Sequence, residues 1–252
     1  MAVVYDIEGP HVRLGIAWFV VSAAAVLAGP ITTGVLYGIA CGAAGLQMSQ
    51  CWRRRRVPVD RRVAGIGAAA LPLAAALHTI VLAVALLALA AGAYYIALVV
   101  IQSKRPPLVD TGYLLQCSIL PGLVGAGMVL TVRYSTLCAL ALLLLVSTYE
   151  SGDYLIGSGA RNRFEGPIAG IVAVAVFTFA VGTPGLKPLD FPSVFAFGAG
   201  VAVLAPAGQL LASALLPSAA APAPALRRID SLLLVAPAWA WASGWWTLTN
   251  VA

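Results

Sequence analysis

Uncharged apolar runs dominate this sequence. Leu14 to Cys51, Val63 to Ser103, Thr111 to Val132, Ser135 to Tyr149 and Ile168 to Leu186 contain no Lys, Arg, Asp or Glu. A bilayer core is crossed by about 20 apolar residues in a helix, and each run is long enough, or nearly so, to cross one. In hydrocarbon the backbone must satisfy its own polar groups, and a helix does this within a single segment. The expected fold is therefore all-α: a polytopic bundle of transmembrane helices forming one membrane domain over 1–252. Composition agrees, with 61% apolar and only 10% charged residues, where a soluble domain carries roughly a quarter charged.

Cutting at charges, Pro and Gly gives about nine spans: Leu14 to Ala28, Ile31 to Met48, Val63 to Leu77, Thr79 to Ile101, Gly112 to Val132, Thr136 to Tyr149, Pro167 to Val181, Pro192 to Leu216 and Ile229 to Leu248. With a cytoplasmic N-terminus, nine crossings place Arg13, Arg53 to Arg56, Arg61, Arg62, Lys104, Arg105, Arg161, Arg163, Arg227 and Arg228 inside. Only Arg133 and Lys187 fall outside. That bias is the one the positive-inside rule predicts, and it places the C-terminus outside. A wrong number of crossings in the middle would scramble it.

The pI of about 9.4 points superficially to polyanion binding. The cations instead form short clusters between apolar spans, which encodes topology, and no basic-aromatic module remains to read nucleic acid. Thirteen of the fifteen cations are Arg, and Ala, Val, Leu and Gly abound. This points to a GC-rich bacterium such as an actinobacterium, with the chain multi-pass in the inner (plasma) membrane. Cys41, Cys51, Cys117 and Cys138 lack metal-site spacing and read as packing residues. The N-terminal segment has two acids and no cleavage pattern, so the first span reads as retained.

Gly34, Gly38 and Gly42 recur every four residues, a stripe that lets helices approach closely, within the chain or from a partner. Trp239, Trp241, Trp245 and Trp246 read as an interfacial anchor or a protein contact. Pro206 should kink or break the eighth span, Pro217 to Pro224 reads as a turn or linker without chemistry of its own, and His78 reads as a turn histidine. No inverted repeat is visible, which disfavours a transporter.

Chemistry, if any, sits with the scarce acids at helix ends: Glu150, Asp153, Glu165 and Asp230, with Arg161, Arg163, Arg227 and Arg228 in the same loops. Charges this near hydrocarbon imply mutual ion pairs or a headgroup pocket. Their order is informative. Tyr149-Glu150-Ser151-Gly152-Asp153-Tyr154-Leu155-Ile156-Gly157, then Arg161-Asn162-Arg163-Phe164-Glu165-Gly166-Pro167, then Gly208-Gln209-Leu210-Leu211-Ala212-Ser213, then Arg227-Arg228-Ile229-Asp230-Ser231 resemble, in order, four segments of the phosphatidate cytidylyltransferase (CDP-diacylglycerol synthase) family. The likeness covers 149–252, leaving 1–148 as preceding helices.

The resemblance implies a site that transfers a cytidylyl group from CTP to phosphatidic acid with Mg, whose ions are held by clustered carboxylates. Here Glu150 stands where the family's first Asp would be, Gln209 replaces the Asp after the glycine, and Arg227 replaces the first Asp of the last segment. The basic run after the serine gives way to Leu216, Pro217 and an Ala/Pro loop, and a His-Gly-Gly segment is missing. The expectation is accordingly a non-catalytic relative with no metal or cofactor. Its role would be an accessory subunit or lipid-handling component alongside membrane lipids and other integral membrane subunits, for instance in a lipid importer of the mammalian-cell-entry (Mce) type. The alternative is a divergent Mg-dependent cytidylyltransferase using CTP, with Glu150, Asp153, Glu165 and Asp230 as its catalytic acids.

Overall fold

The computed structural model describes residues 11–101, 105–159, 162, 164–182 and 193–250, the side chains of 11, 12 and 245–250 excepted. Every regular element among them is an α-helix: α1 (His11–Ala28), α2 (Pro30–Arg54), α3 (Arg61–Ala76), α4 (Ile80–Val100), α5 (Pro107–Tyr134), α6 (Thr136–Gly157), α7 (Glu165–Val181), α8 (Ser193–Ala214), α9 (Pro224–Arg227) and α10 (Leu232–Asn250). Each of the nine segments read from the sequence overlaps one of the long helices, with different bounds. Length and hydropathy together are sufficient to cross a bilayer in five of them, α2, α4, α5, α6 and α8. Apolar stretches in α1, α7 and α10 are shorter, and α3 has 16 residues.

Boundaries differ from the sequence expectation where a charge had been taken as a helix end. The sixth helix continues beyond Tyr149 to Gly157, which puts Glu150 and Asp153 on the helix itself, one turn apart on the same face. Likewise α5 starts at Pro107 and carries Asp110 in its first turn. Proline breaks nothing here, since α8 runs unbroken through Pro206 and α3, α5 and α10 through Pro72, Pro121 and Pro237. Packing within a membrane bundle tolerates such residues because neighbouring groups take over the freed backbone.

Close contact among α2, α3 and α5 forms one half of the bundle. The stripe of Gly34, Gly38 and Gly42 faces α3: a Cβ on Gly34 would lie 2.8 Å from that of Ala76, and one on Gly42 3.1 Å from that of Ala69. A Cβ on Gly45 would come within 2.8 Å of two carbonyl oxygens, those of Ala64 and Cys117. All four cysteines are free and buried. In the other half, α6 packs on α7 through Gly152 and Gly170, and the ring of Tyr149 lies over Gly170. Trp239 belongs to this core and not to an interfacial belt. It is 4% exposed, donates to the Cys138 carbonyl at 3.2 Å and meets the Phe197 ring in a tilted contact, whereas Trp241 is exposed. Trp245 and Trp246 lie outside the described side chains.

Antiparallel packing sorts the charges between the two ends of the bundle. At one end the Gln47 side chain accepts from the Ala225 amide at 2.8 Å, and the Trp52 indole and Gln116 amide donate to the Leu215 carbonyl at 3.1 and 2.7 Å. These bonds join the loop after α8 to the ends of α2 and α5, so the Arg53 to Arg62 loop, Arg105, Arg227 and Arg228 share that end. Arg133 occupies the opposite end, donating to the Ala75 carbonyl at 2.8 Å and contacting His78. His78 has φ 60°, the left-handed turn position that closes α3.

Candidate functional site

The C-terminal half gathers the acids into a polar circuit that begins and ends on α6. Tyr149 donates its hydroxyl to Gln209 Oε1 at 3.1 Å, and Gln209 donates its Nε2 to Asp153 Oδ2 at 3.1 Å. One turn further along α8, Ser213 donates to the Gln209 carbonyl at 3.0 Å and accepts from Arg227 Nη1 at 2.9 Å. Arg227 Nη1 also faces Asp230 Oδ2 at 3.6 Å, while its Nη2 donates to the Ala219 carbonyl at 2.8 Å. Asp230 Oδ1 accepts from the Ser231 amide at 2.8 Å, and the Ser231 hydroxyl closes the circuit on Glu150.

Backbone geometry makes the circuit possible. A Cβ on Gly208 would sit 2.5 Å from the Asp230 carbonyl, so only glycine lets the segment before α10 lie directly against α8. Pro224 starts α9 with the fixed φ that suits a first helical position. This short turn delivers Arg227 and Arg228 over the ends of α6 and α8. The 217–224 segment is thus more than a linker, because its Ala219 carbonyl helps hold Arg227 and its Ala225 neighbour is tied to Gln47.

Asp153 and Asp230 are 4% and 8% exposed. Burial, and then the nearby Glu150 carboxylate, push Asp230 up to about 7, against the opposing pull of Arg227 and the Ser231 amide. Arg228 lies within electrostatic reach of Glu150 and approaches Gly15 of α1. The site is therefore closed on several sides by helices and lined by charges of both signs.

Of the residues singled out from the sequence, Glu150, Asp153, Arg227, Arg228 and Asp230 come together. Glu165 does not join them. It is exposed and borders an outward-facing groove between α6 and α7 with Gly152, Leu155 and Ile168. Arg161 and Arg163 lie outside the described residues. Sequence reasoning missed Tyr149, Ser213 and Ser231 as working members of the cluster, and treated Gln209 only as a lost acid. The available signal was spacing: Asp153 lies one helical turn from both Tyr149 and Glu150, as Ser213 does from Gln209.

No family model matches the chain, and neither a curated protein nor a solved structure does.

Proposed function

We propose that this chain is a non-catalytic membrane scaffold of phosphatidate cytidylyltransferase-like ancestry, serving as an accessory or lipid-handling component of a membrane assembly. It crosses the bilayer nine times with a cytoplasmic N-terminus and an external C-terminus. Sorting of most described cations to one end of the bundle, with Arg133 at the other, supports that topology, because cytoplasmic loops accumulate Lys and Arg. The polar circuit lies at the cytoplasmic end. A lipid importer of the Mce type is the host proposed for it.

One observation carries the non-catalytic reading: the two residues that replace acids are themselves partners of the acids that remain. Gln209 presents an amide N–H to Asp153, and Arg227 presents a guanidinium to Asp230. A divalent ion needs carboxylate oxygens free to coordinate it. Here Asp153 Oδ2, both Asp230 oxygens and one Glu150 oxygen already face N–H or O–H donors or the guanidinium. A guanidinium in the centre also opposes binding of a second cation. This donor set does not fit Mg, and no step is routed through it. Its fit is to a closed structural network, or to an anionic headgroup held by Arg227 and Arg228.

Purified protein incubated with labelled CTP and phosphatidic acid should form no CDP-diacylglycerol. Product that disappears in Asp230→Ala would overturn the reading in favour of the active enzyme. In the native host the protein should copurify with other integral membrane subunits, and its deletion should impair lipid uptake while leaving CDP-diacylglycerol unchanged. A lone protein with normal uptake in the deletion strain would count against the accessory role.

A further inference from the structure

A second polar feature lies at the same end of the bundle but away from the circuit, where α2 turns into α3. The turn is tightly built. Arg55 caps α2, its amide on the Trp52 carbonyl at 2.9 Å, and Arg56 adopts φ 62°. Non-glycine residues rarely occupy this left-handed region, and they do so where the surroundings hold them. Val57 and Val59 follow, 3% and 2% exposed, anchoring the strand of chain in the core before Asp60 caps α3 through the Arg62 and Val63 amides. Arg55 is thus exposed on a hinge pinned on both sides.

Beside it opens a recess of about 320 Å³ lined by Trp52, Arg55, Val57, Arg105, Tyr113 and Leu216, with Pro217 at its edge. Its aromatic wall is fixed: Trp52 and Tyr113 have centroids 4.2 Å apart, and the Trp52 N–H is committed to the Leu215 carbonyl. The charged side chains lining it, Arg55 and Arg105, are both guanidiniums. Of the nearby acids, one is engaged elsewhere and the other pairs loosely with Arg105 itself. Asp60 caps α3, and Asp110 lies fully buried behind Arg105 at 4.0 Å. Arg53, Arg54, Arg56, Arg61 and Arg62 lie in and beside the same turn and add to its positive charge.

We infer that this recess is a phosphate-binding site, in which Arg55 and Arg105 hold the oxygens of a phosphate group, carried by an anionic phospholipid headgroup or free in solution. Guanidinium forks match phosphate geometry and bind it with charge-assisted hydrogen bonds. Trp52 and Tyr113 offer the amphipathic surface typical of the headgroup level. Exposed Leu108 on the first turn of α5 provides apolar surface near Arg105 for the chain of a lipid. Because the hinge and the aromatic pair are already ordered, little is lost in ordering the site on binding. The recess is separate from the polar circuit, and phosphate binding there does not depend on whether the chain catalyses.

The test uses the full chain in mild detergent, titrated with dihexanoyl phosphatidic acid, dihexanoyl phosphatidylcholine and inorganic phosphate, with binding followed by native mass spectrometry or calorimetry. Phosphatidic acid should bind, and Arg55→Gln with Arg105→Gln should weaken it at least about tenfold, the loss of two charge-assisted bonds. Arg53→Gln with Arg61→Gln, outside the recess lining, should change it less than about threefold, as expected of screened surface charge. Arg55→Lys alone, which keeps the charge but loses the planar fork, should weaken binding severalfold and guards against a misfolded double variant. Competition by inorganic phosphate would identify free phosphate as a sufficient ligand, and binding of the lipid without such competition would identify the headgroup. Equal losses in both double variants, or phosphatidylcholine binding as tightly as phosphatidic acid, would overturn the site.

Discussion

The two halves of the bundle hold their helices together by different means. Between α2, α3 and α5 the contact is made by absence of side chain: Gly34, Gly42 and Gly45 bring backbones to distances that a Cβ would forbid. Between α6, α8 and the segment entering α10, side-chain bonds join a close approach at Gly208, through Tyr149, Asp153, Gln209, Arg227, Asp230 and Ser231. Lipid tails are as apolar as leucine, so helices in a bilayer gain little from hydrophobic burial against one another. Close van der Waals packing and buried polar bonds are what remain. The contacts at Gly34, Gly42 and Gly45 should be intolerant of added volume. The polar half can lose a methyl group with little effect but not a partner.

The strongest way to break the first mode is to add volume where only backbone can be hit. Gly45→Val places its Cβ against two carbonyl oxygens and should cost about 3 kcal/mol, read as a lower thermal unfolding midpoint and poor recovery from membranes. Gly38→Ala is the control within the same stripe. Its Cβ meets the flexible Leu73 side chain at 3.3 Å, and the loss should stay under about 1 kcal/mol. Equal losses would mean that α2 and α3 are not packed backbone to backbone at Gly45.

In the polar half, Arg227→Ala takes the guanidinium from Asp230 and a donor from the Ser213 hydroxyl, and should cost about 2 kcal/mol. Adding Asp230→Ala should recover part of that loss, because the charge left without a partner is removed. Additive losses in a double-mutant cycle would dissolve the ion pair as an energetic unit. Gln209→Leu keeps volume but leaves Tyr149 and Asp153 without their bridge. A loss of about 1 to 2 kcal/mol is expected, with the greater part suppressed when Tyr149→Phe is already present.

The two modes were unequally legible in the sequence. Charge-free runs located the long helices, since periodic polar breaks are what a bilayer demands, and the glycine spacing in α2 stood out because four residues return to one helix face. What the sequence hid was what a charge means at the end of an apolar run. Glu150 looked like a terminus, but its pairing with Ser231, far away in the chain, lets α6 continue through it to Gly157. Gln209 looked like a deletion because its partners, Tyr149 and Asp153, come from another helix. Tertiary partners decide both cases, and no local pattern contains them.

The smallest expected effect separates the halves by pH. Asp230 has a folded pKa of about 7 against 3.8 in the unfolded chain, so between those values the folded state holds a proton that the unfolded state has released. Stability should therefore be greatest below the unfolded value and decline as pH rises through about 7, with a slope for this one group no steeper than about 1.4 kcal/mol per pH unit. Glu150 and Arg227 face Asp230 and set where the decline falls. Over the pH unit centred near 7 the change should be about 1 kcal/mol or less, since the group is then only partly titrated. Unfolding midpoints measured from about pH 6.5 to about pH 7.5 should fall in the wild type and flatten in Asp230→Asn, while Gly45→Val shifts the whole curve down and keeps its shape. A wild-type curve already flat over that range would mean that Asp230 remains ionised in the fold. The Arg227 ion pair, and not burial, would then govern the polar half.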